Sequence, residues 1–209
     1  MIQNLDKSVY ISLFLSFILT TAIAPIFIPF LLKLKVGQTV RDDGPESHLK
    51  KNGTPTMGGI IILIGFIGGS VIFCSRYSNT IPIMLMTIGF GLIGFIDDYI
   101  KVVLKRSMGL RAWQKLLLQI IVTAIFAVYL TKVSGVNLLL RVPFTNGYML
   151  DLSWFSYVIL FIAVLGTVNG ANLTDGVDGL ASSVTIVIAI YCAIIAVLEN
   201  MGLEPTSLA

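Results

Sequence analysis

Six stretches of this chain carry no Asp, Glu, Lys or Arg: Ser8–Leu32, Asn52–Ser75, Tyr77–Ile96, Leu116–Thr131, Leu152–Thr174 and Gly179–Leu198. A helix that crosses the hydrocarbon of a bilayer needs about 20 predominantly apolar residues, with a range of about 17–25. Five stretches meet that length. Leu116–Thr131 is shorter, but Lys115 and Lys132 flank it and can extend their charged ends to the headgroups. The pattern therefore predicts six transmembrane helices, at about 8–32, 57–75, 79–96, 116–133, 153–170 and 180–198, in one membrane domain covering 1–209. A membrane β-barrel would alternate apolar and polar residues, whereas Ile60–Ile64 and Leu116–Leu118 are continuously apolar. The expected fold class is an all-α polytopic membrane protein. The first stretch is too long for a cleaved signal peptide and no A-x-A-like site follows it.

Composition agrees with this pattern. Only 12% of the 209 residues are charged and 56% are hydrophobic, against about 25% charged in soluble domains. Net charge is only +3, but its distribution is informative. Alternate connecting segments hold Lys33, Lys35, Arg41, Lys50, Lys51, Lys101, Lys105, Arg106, Arg111 and Lys115. The other side holds only Lys7, Arg76, Lys132 and Arg141. The positive-inside rule places the first set in the cytoplasm and the N-terminus outside. Neither cysteine, Cys74 or Cys192, has a His or Cys at metal-binding spacing.

Finer features follow from residue type. Asn146-Gly147 between short apolar runs predicts a small external β-hairpin near 137–151. Gly65 and Gly69 form a small-xxx-small pair suited to close helix packing. Pro25 and Pro29 are candidates to kink the first helix, and Trp154 and Tyr157 suit a membrane interface.

Three segments on the strongly basic side carry chemistry that topology alone does not require. In Ser47–Gly59, the residues Lys50, Lys51, Thr54 and Thr56 offer donors, while Gly53, Gly58 and Gly59 permit close backbone approach at a helix entry. Such an entry suits a phosphate, although the Gly-Lys-Ser/Thr ending of a Walker A loop is missing. In Gly94–Lys101, Asp97 and Asp98 stand side by side where the third span ends. Acidic residues beside hydrocarbon are costly and point to function. Two carboxylates can share a Mg²⁺ or take different protonation states. Lys101 lies within ion-pair reach of both if the helix continues. In Asn169–Leu180, the residues Asn172, Asp175 and Asp178 recur at every third position and share a face in helix or near-helix. Gly176 and Gly179 leave that face open. Together these segments suit a metal-bound diphosphate or nucleotide meeting a lipid-soluble partner.

Gly53-Thr-Pro-Thr-Met-Gly-Gly59, Phe95-Ile-Asp-Asp-Tyr-Ile-Lys101, Gly109-Leu-Arg-Ala-Trp-Gln-Lys115 and Asn172-Leu-Thr-Asp-Gly-Val-Asp-Gly-Leu180 resemble the phospho-N-acetylmuramoyl-pentapeptide transferases, members of the polyprenyl-phosphate N-acetylhexosamine-1-phosphate transferase superfamily. The resemblance runs in order along the whole chain, and its first segment discriminates best from sister enzymes that use simpler nucleotide sugars. It implies a Mg²⁺-dependent enzyme of peptidoglycan synthesis in the bacterial cytoplasmic membrane. That enzyme moves phospho-MurNAc-pentapeptide from UDP-MurNAc-pentapeptide to undecaprenyl phosphate, giving lipid I and UMP, in one step or through a covalent intermediate. By the same resemblance Asp97, Asp98, Asn172 and Asp175 are catalytic, with Asp97 and Asp98 also candidate Mg²⁺ ligands. Lys50, Lys51, Thr54, Thr56, Lys101, Lys115, Gly176 and Asp178 would bind substrate, and a homodimer is expected. No nucleic-acid partner is implied.

Length is the departure from the family pattern. Its members have about ten spans, so the chain corresponds to the N-terminal two-thirds, and the main Mg²⁺ aspartate and a His-rich loop are expected beyond residue 209. His48 does not match that loop. The segment alone is expected to be inactive. Two rival readings are weaker. A UDP-GlcNAc donor conflicts with Thr54–Gly59. A transporter would place ionisable residues near mid-membrane, whereas here they sit at span ends.

Overall fold

The computed structural model describes residues 7–33, 56–77, 80–104, 109–142, 145, 148–176 and 179–200. Among them are six α-helices: α1 (Lys7–Lys33), α2 (Gly59–Val71), α3 (Thr80–Val102), α4 (Ala112–Val128), α5 (Phe155–Thr174) and α6 (Leu180–Asn200). A π-helical turn, Tyr129–Val133, prolongs α4. Five of these helices are long and apolar enough to cross a bilayer. The chain is thus an all-α, multi-pass membrane protein, as its pattern predicted.

The exception is α2. It has 13 residues and rises about 20 Å, short of a hydrocarbon core of about 30 Å. The expected span 57–75 ends instead in three-residue turns, with Phe73 N–H donating to Ser70 O at 3.1 Å and Arg76 N–H to Phe73 O at 3.0 Å. The predicted hairpin forms: β1 (Leu140–Arg141) pairs antiparallel with β2 (Met149–Leu150), Leu140 opposite Leu150. Asn146-Gly147 lies outside the described residues. Helix α1 runs through both Pro25 and Pro29. Pro82 sits in the first turn of α3, where its missing N–H removes no helical bond.

Two compact units, Met1–Phe126 and Ala127–Ala209, are described in turn. In the first, α1 packs on α2 and α2 on α3. The Gly65/Gly69 pair is the α1 contact. A Cβ on Gly65 would collide with Thr20 Oγ1, and one on Gly69 with Ser16 Oγ. Ser12 Oγ donates to Gly69 O at 2.7 Å. The most buried side chains are polar, Gln119 and Thr123 on α4, with Thr123 Oγ1 donating to Gln119 O. Large apolar side chains such as Phe14, Phe17 and Ile125 are exposed. That distribution suits lipid, where polar residues turn inward. In the second unit α5 contacts α6, and Trp154, at the start of α5, is largely exposed.

Candidate active site

Helix α3 does not stop where the charge-free stretch stops. It continues through Asp97, Asp98 and Lys101 to Val102, so the conditional reading of Lys101 holds. Its Nζ lies 2.5 Å from Asp97 Oδ2, four residues back, and 3.7 Å from Asp98 Oδ1, three back. One ammonium thus serves two carboxylates at the end of a span. Lys115, on the first turn of α4, is near enough for its charge to attract both.

The two aspartates differ in surroundings. Asp97 is buried, at 8% exposure. Its Oδ2 takes the Lys101 hydrogen bond and its Oδ1 accepts Leu110 N–H at 2.8 Å. Both oxygens are engaged. The Asp98 side chain keeps 36% exposure and, among the described residues, has the longer Lys101 contact. Adjacent helical residues point about 100° apart, so Asp97 is buried while Asp98 is half-buried.

The start of α4 is held by the glutamine half of a capping box. Arg111 N–H donates to Gln114 Oε1 at 3.0 Å, while Gln114 and Lys115 N–H donate to Arg111 O. A glutamine three residues into a helix reaches back in this way. Gln114→Ala is expected to cost about 1 kcal/mol, the scale of one lost hydrogen bond, seen as a melting temperature lower by about 2–4 °C. An unchanged melt would show that the cap contributes nothing.

At the start of α2, Thr56 Oγ1 is buried without a hydrogen-bond partner among the described residues. Met57 adopts φ +67°, a conformation uncommon for a non-glycine residue. Cβ atoms on Gly58 or Gly59 would meet nothing within 4 Å. Lys50, Lys51 and Thr54 lie outside the described residues, as does Asp178.

The third segment leaves regular helix between Asn172 and Asp175. Helix α5 carries Asn172 but ends at Thr174. Asp175 caps it at φ −78°, ψ 18°, and Asp175 and Gly176 lie in a turn. Gly179, at φ +80°, leads into α6. Asn172, Asp175 and Gly176 are exposed. The Gly109–Lys115 segment stood out in the sequence, but the contact of Gly109 and Leu110 with Asp97 did not.

Similarity to known proteins decides what family this arrangement belongs to. Residues 80–209, more than half the chain, match the model of glycosyl transferase family 4. The chain belongs to that family. Residues 51–63 match signature 1 of phospho-N-acetylmuramoyl-pentapeptide-transferase. A protein of that name from Caldicellulosiruptor bescii is 47% identical over 196 residues, which cover 94% of this chain and 60% of the relative. Namesakes from Desulforamulus reducens and Clostridioides difficile are 44% and 42% identical, over 92% and 91% of this chain and 59% of each relative. The chain therefore spans about 60% of the length of these curated relatives. The family match encloses Asp97, Asp98, Lys101, Lys115, Asn172, Asp175 and Gly176, and the signature encloses Lys51, Thr54 and Thr56.

Proposed function

We propose that this chain contributes the carboxylate site of an enzyme that transfers phospho-MurNAc-pentapeptide from UDP to undecaprenyl phosphate, yielding lipid I and UMP. The observation that carries the reading is the pair of acids at the end of membrane helix α3, neutralised by Lys101 and faced by Lys115. A carboxylate beside lysines at a span end can meet both a lipid phosphate and a nucleotide. The names of the relatives and the 51–63 signature select the pentapeptide donor.

In this reading an oxygen of the lipid phosphate attacks the sugar-bearing phosphorus. The bond from that phosphorus to the bridging oxygen breaks, and UMP leaves. Asp98 acts as catalytic carboxylate, and Lys101 and Lys115 hold phosphate charge. Thr56, with Lys50, Lys51 and Thr54, serves the donor, and the family resemblance gives Asn172 and Asp175 catalytic and Gly176 and Asp178 substrate-binding roles.

Mg²⁺ is the proposed cofactor. It is usually held by one or two carboxylates together with substrate phosphates. That fits Asp98, whose oxygens are less engaged than those of Asp97. Among the described residues no group of three His, Cys, Asp or Glu side chains could hold a metal, so further ligands would come from phosphates and other residues. Bound there, the ion would stabilise charge on the phosphates. The basic segments around Lys101 and Lys115 support a site at the cytoplasmic face with the N-terminus outside, and the family resemblance supports the bacterial inner membrane. A homodimer rests on the family resemblance.

The test supplies full-length protein with undecaprenyl phosphate and either UDP-MurNAc-pentapeptide or UDP-GlcNAc. UMP release from the first donor alone is expected. Release from UDP-GlcNAc alone would overturn the choice of donor, and release from neither would remove the transferase reading.

A further inference from the structure

Gly109 sits at φ +58°, in the left-handed region that glycine tolerates and other residues rarely adopt. A Cβ there would stand 2.5 Å from Asp97 Oδ1, 2.7 Å from Lys101 Cε and 3.1 Å from the Asp97 carbonyl oxygen. The backbone of this turn is therefore pressed against the Asp97–Lys101 pair. The next residue supplies the second donor to Asp97: Leu110 N–H to Oδ1, 2.8 Å, across thirteen residues of sequence. Arg111, held by Gln114, then leads into α4, which carries Lys115.

We propose that Gly109-Leu110 is a positioning turn for the reacting carboxylate. The Leu110 amide and Lys101 saturate Asp97. Asp97 is then a positioning residue that locks the end of α3 to the start of α4, and Asp98 is the acid of the pair that meets substrate. Glycine is required at 109 twice over, by φ and by the space against Asp97. The inference rests on the transferase reading and adds a division of labour within the acid pair. A turn that served chain reversal alone would not need to end on the carboxylate next to the reactive one. A charge-assisted bond to a buried carboxylate is also among the stronger hydrogen bonds.

Hydrogen–deuterium exchange and steady-state kinetics on full-length protein test this together. In Asp97→Ala the Leu110 amide is expected to exchange about tenfold faster than in wild type, as loss of one such bond implies. Gly109→Ala is expected to lower kcat about a hundredfold, the scale of a misplacement near 1 Å. The loss should be larger in kcat than in the KM for the UDP-linked donor, although the added Cβ also presses on Lys101 Cε. In an Asp97→Ala background, Gly109→Ala should reduce kcat by less than about twofold further, because both act on one contact. Unchanged Leu110 exchange in Asp97→Ala would overturn the proposal. So would a folded Gly109→Ala with wild-type kcat, or one altered in KM alone. If Gly109→Ala does not fold, the exchange result in Asp97→Ala decides. If wild-type protein releases no UMP, the transferase reading fails and the catalytic meaning of the turn fails with it. The exchange comparison still judges the Asp97–Leu110 bond on its own.

Discussion

Asp98→Asn is expected to lower UMP release by full-length protein about a thousandfold, within the range of about 10²–10⁴ for losing a positioned acid–base group. Stability should barely change. Asn has the same shape, and the side chain it replaces is 36% exposed and pairs with Lys101 only at 3.7 Å. Exposed ion pairs of this kind contribute about 0.2–1 kcal/mol. The shorter pair between Lys101 and Asp97 remains to hold the lysine. The signature is thus a large loss of turnover with a nearly unchanged melting temperature. Asp97→Ala should behave differently. It removes an acceptor from the part-buried Leu110 amide and from Lys101, so activity and stability should fall together. A folded Asp98→Asn protein with undiminished UMP release would take Asp98 out of the chemistry and disprove the assignment of roles within the pair.

Why the acid pair itself was visible in the sequence, and its division of labour was not, has a physical basis. The spans were legible because charge is excluded from hydrocarbon, so the boundaries of charge-free stretches approximate helix positions. The contact of Lys101 with both aspartates was legible because it depends only on helical spacing. Which aspartate turns inward depends on how α3 is rotated against its neighbours, and no local pattern encodes that rotation. The Leu110–Asp97 bond joins residues thirteen apart through a turn whose shape is set by Gly109 and by packing. The form of the chain after α5 was open in the sequence for a related reason. A three-residue repeat of Asn172, Asp175 and Asp178 suits helix or near-helix alike. Asp175 and Gly176 form a turn, chemistry that aspartate and glycine favour. The shortness of α2 was hidden because Ile72, Phe73 and Cys74 are as apolar as the helix before them, so composition does not register the change to turns.

Gly69→Ala is expected to destabilise the protein by about 1–3 kcal/mol, the usual cost of forcing atoms into a packed interior. Gly68→Ala, one residue earlier on the same helix, should be close to neutral. Both changes add the same methyl group, and both gain the roughly 0.5–1 kcal/mol by which alanine exceeds glycine inside a helix. The difference lies in what the methyl meets. At Gly68 it meets Leu19 Cδ1, the free end of a side chain that can rotate away. At Gly69 it meets Ser16 Oγ, with the Ser12 carbonyl oxygen 2.9 Å away. That oxygen belongs to the backbone of α1 and moves only if the helix moves. Displacing α1 would also stretch the 2.7 Å bond from Ser12 Oγ to Gly69 O. Close contact and hydrogen bonds across it are what hold helices together in lipid, where the hydrophobic effect gives no help between helices. Thermal unfolding of full-length protein in one detergent, with both variants side by side, separates the cases. A lower melting temperature for Gly69→Ala alone is expected. Equal melting temperatures for the two variants would mean that α1 and α2 are not held by this contact.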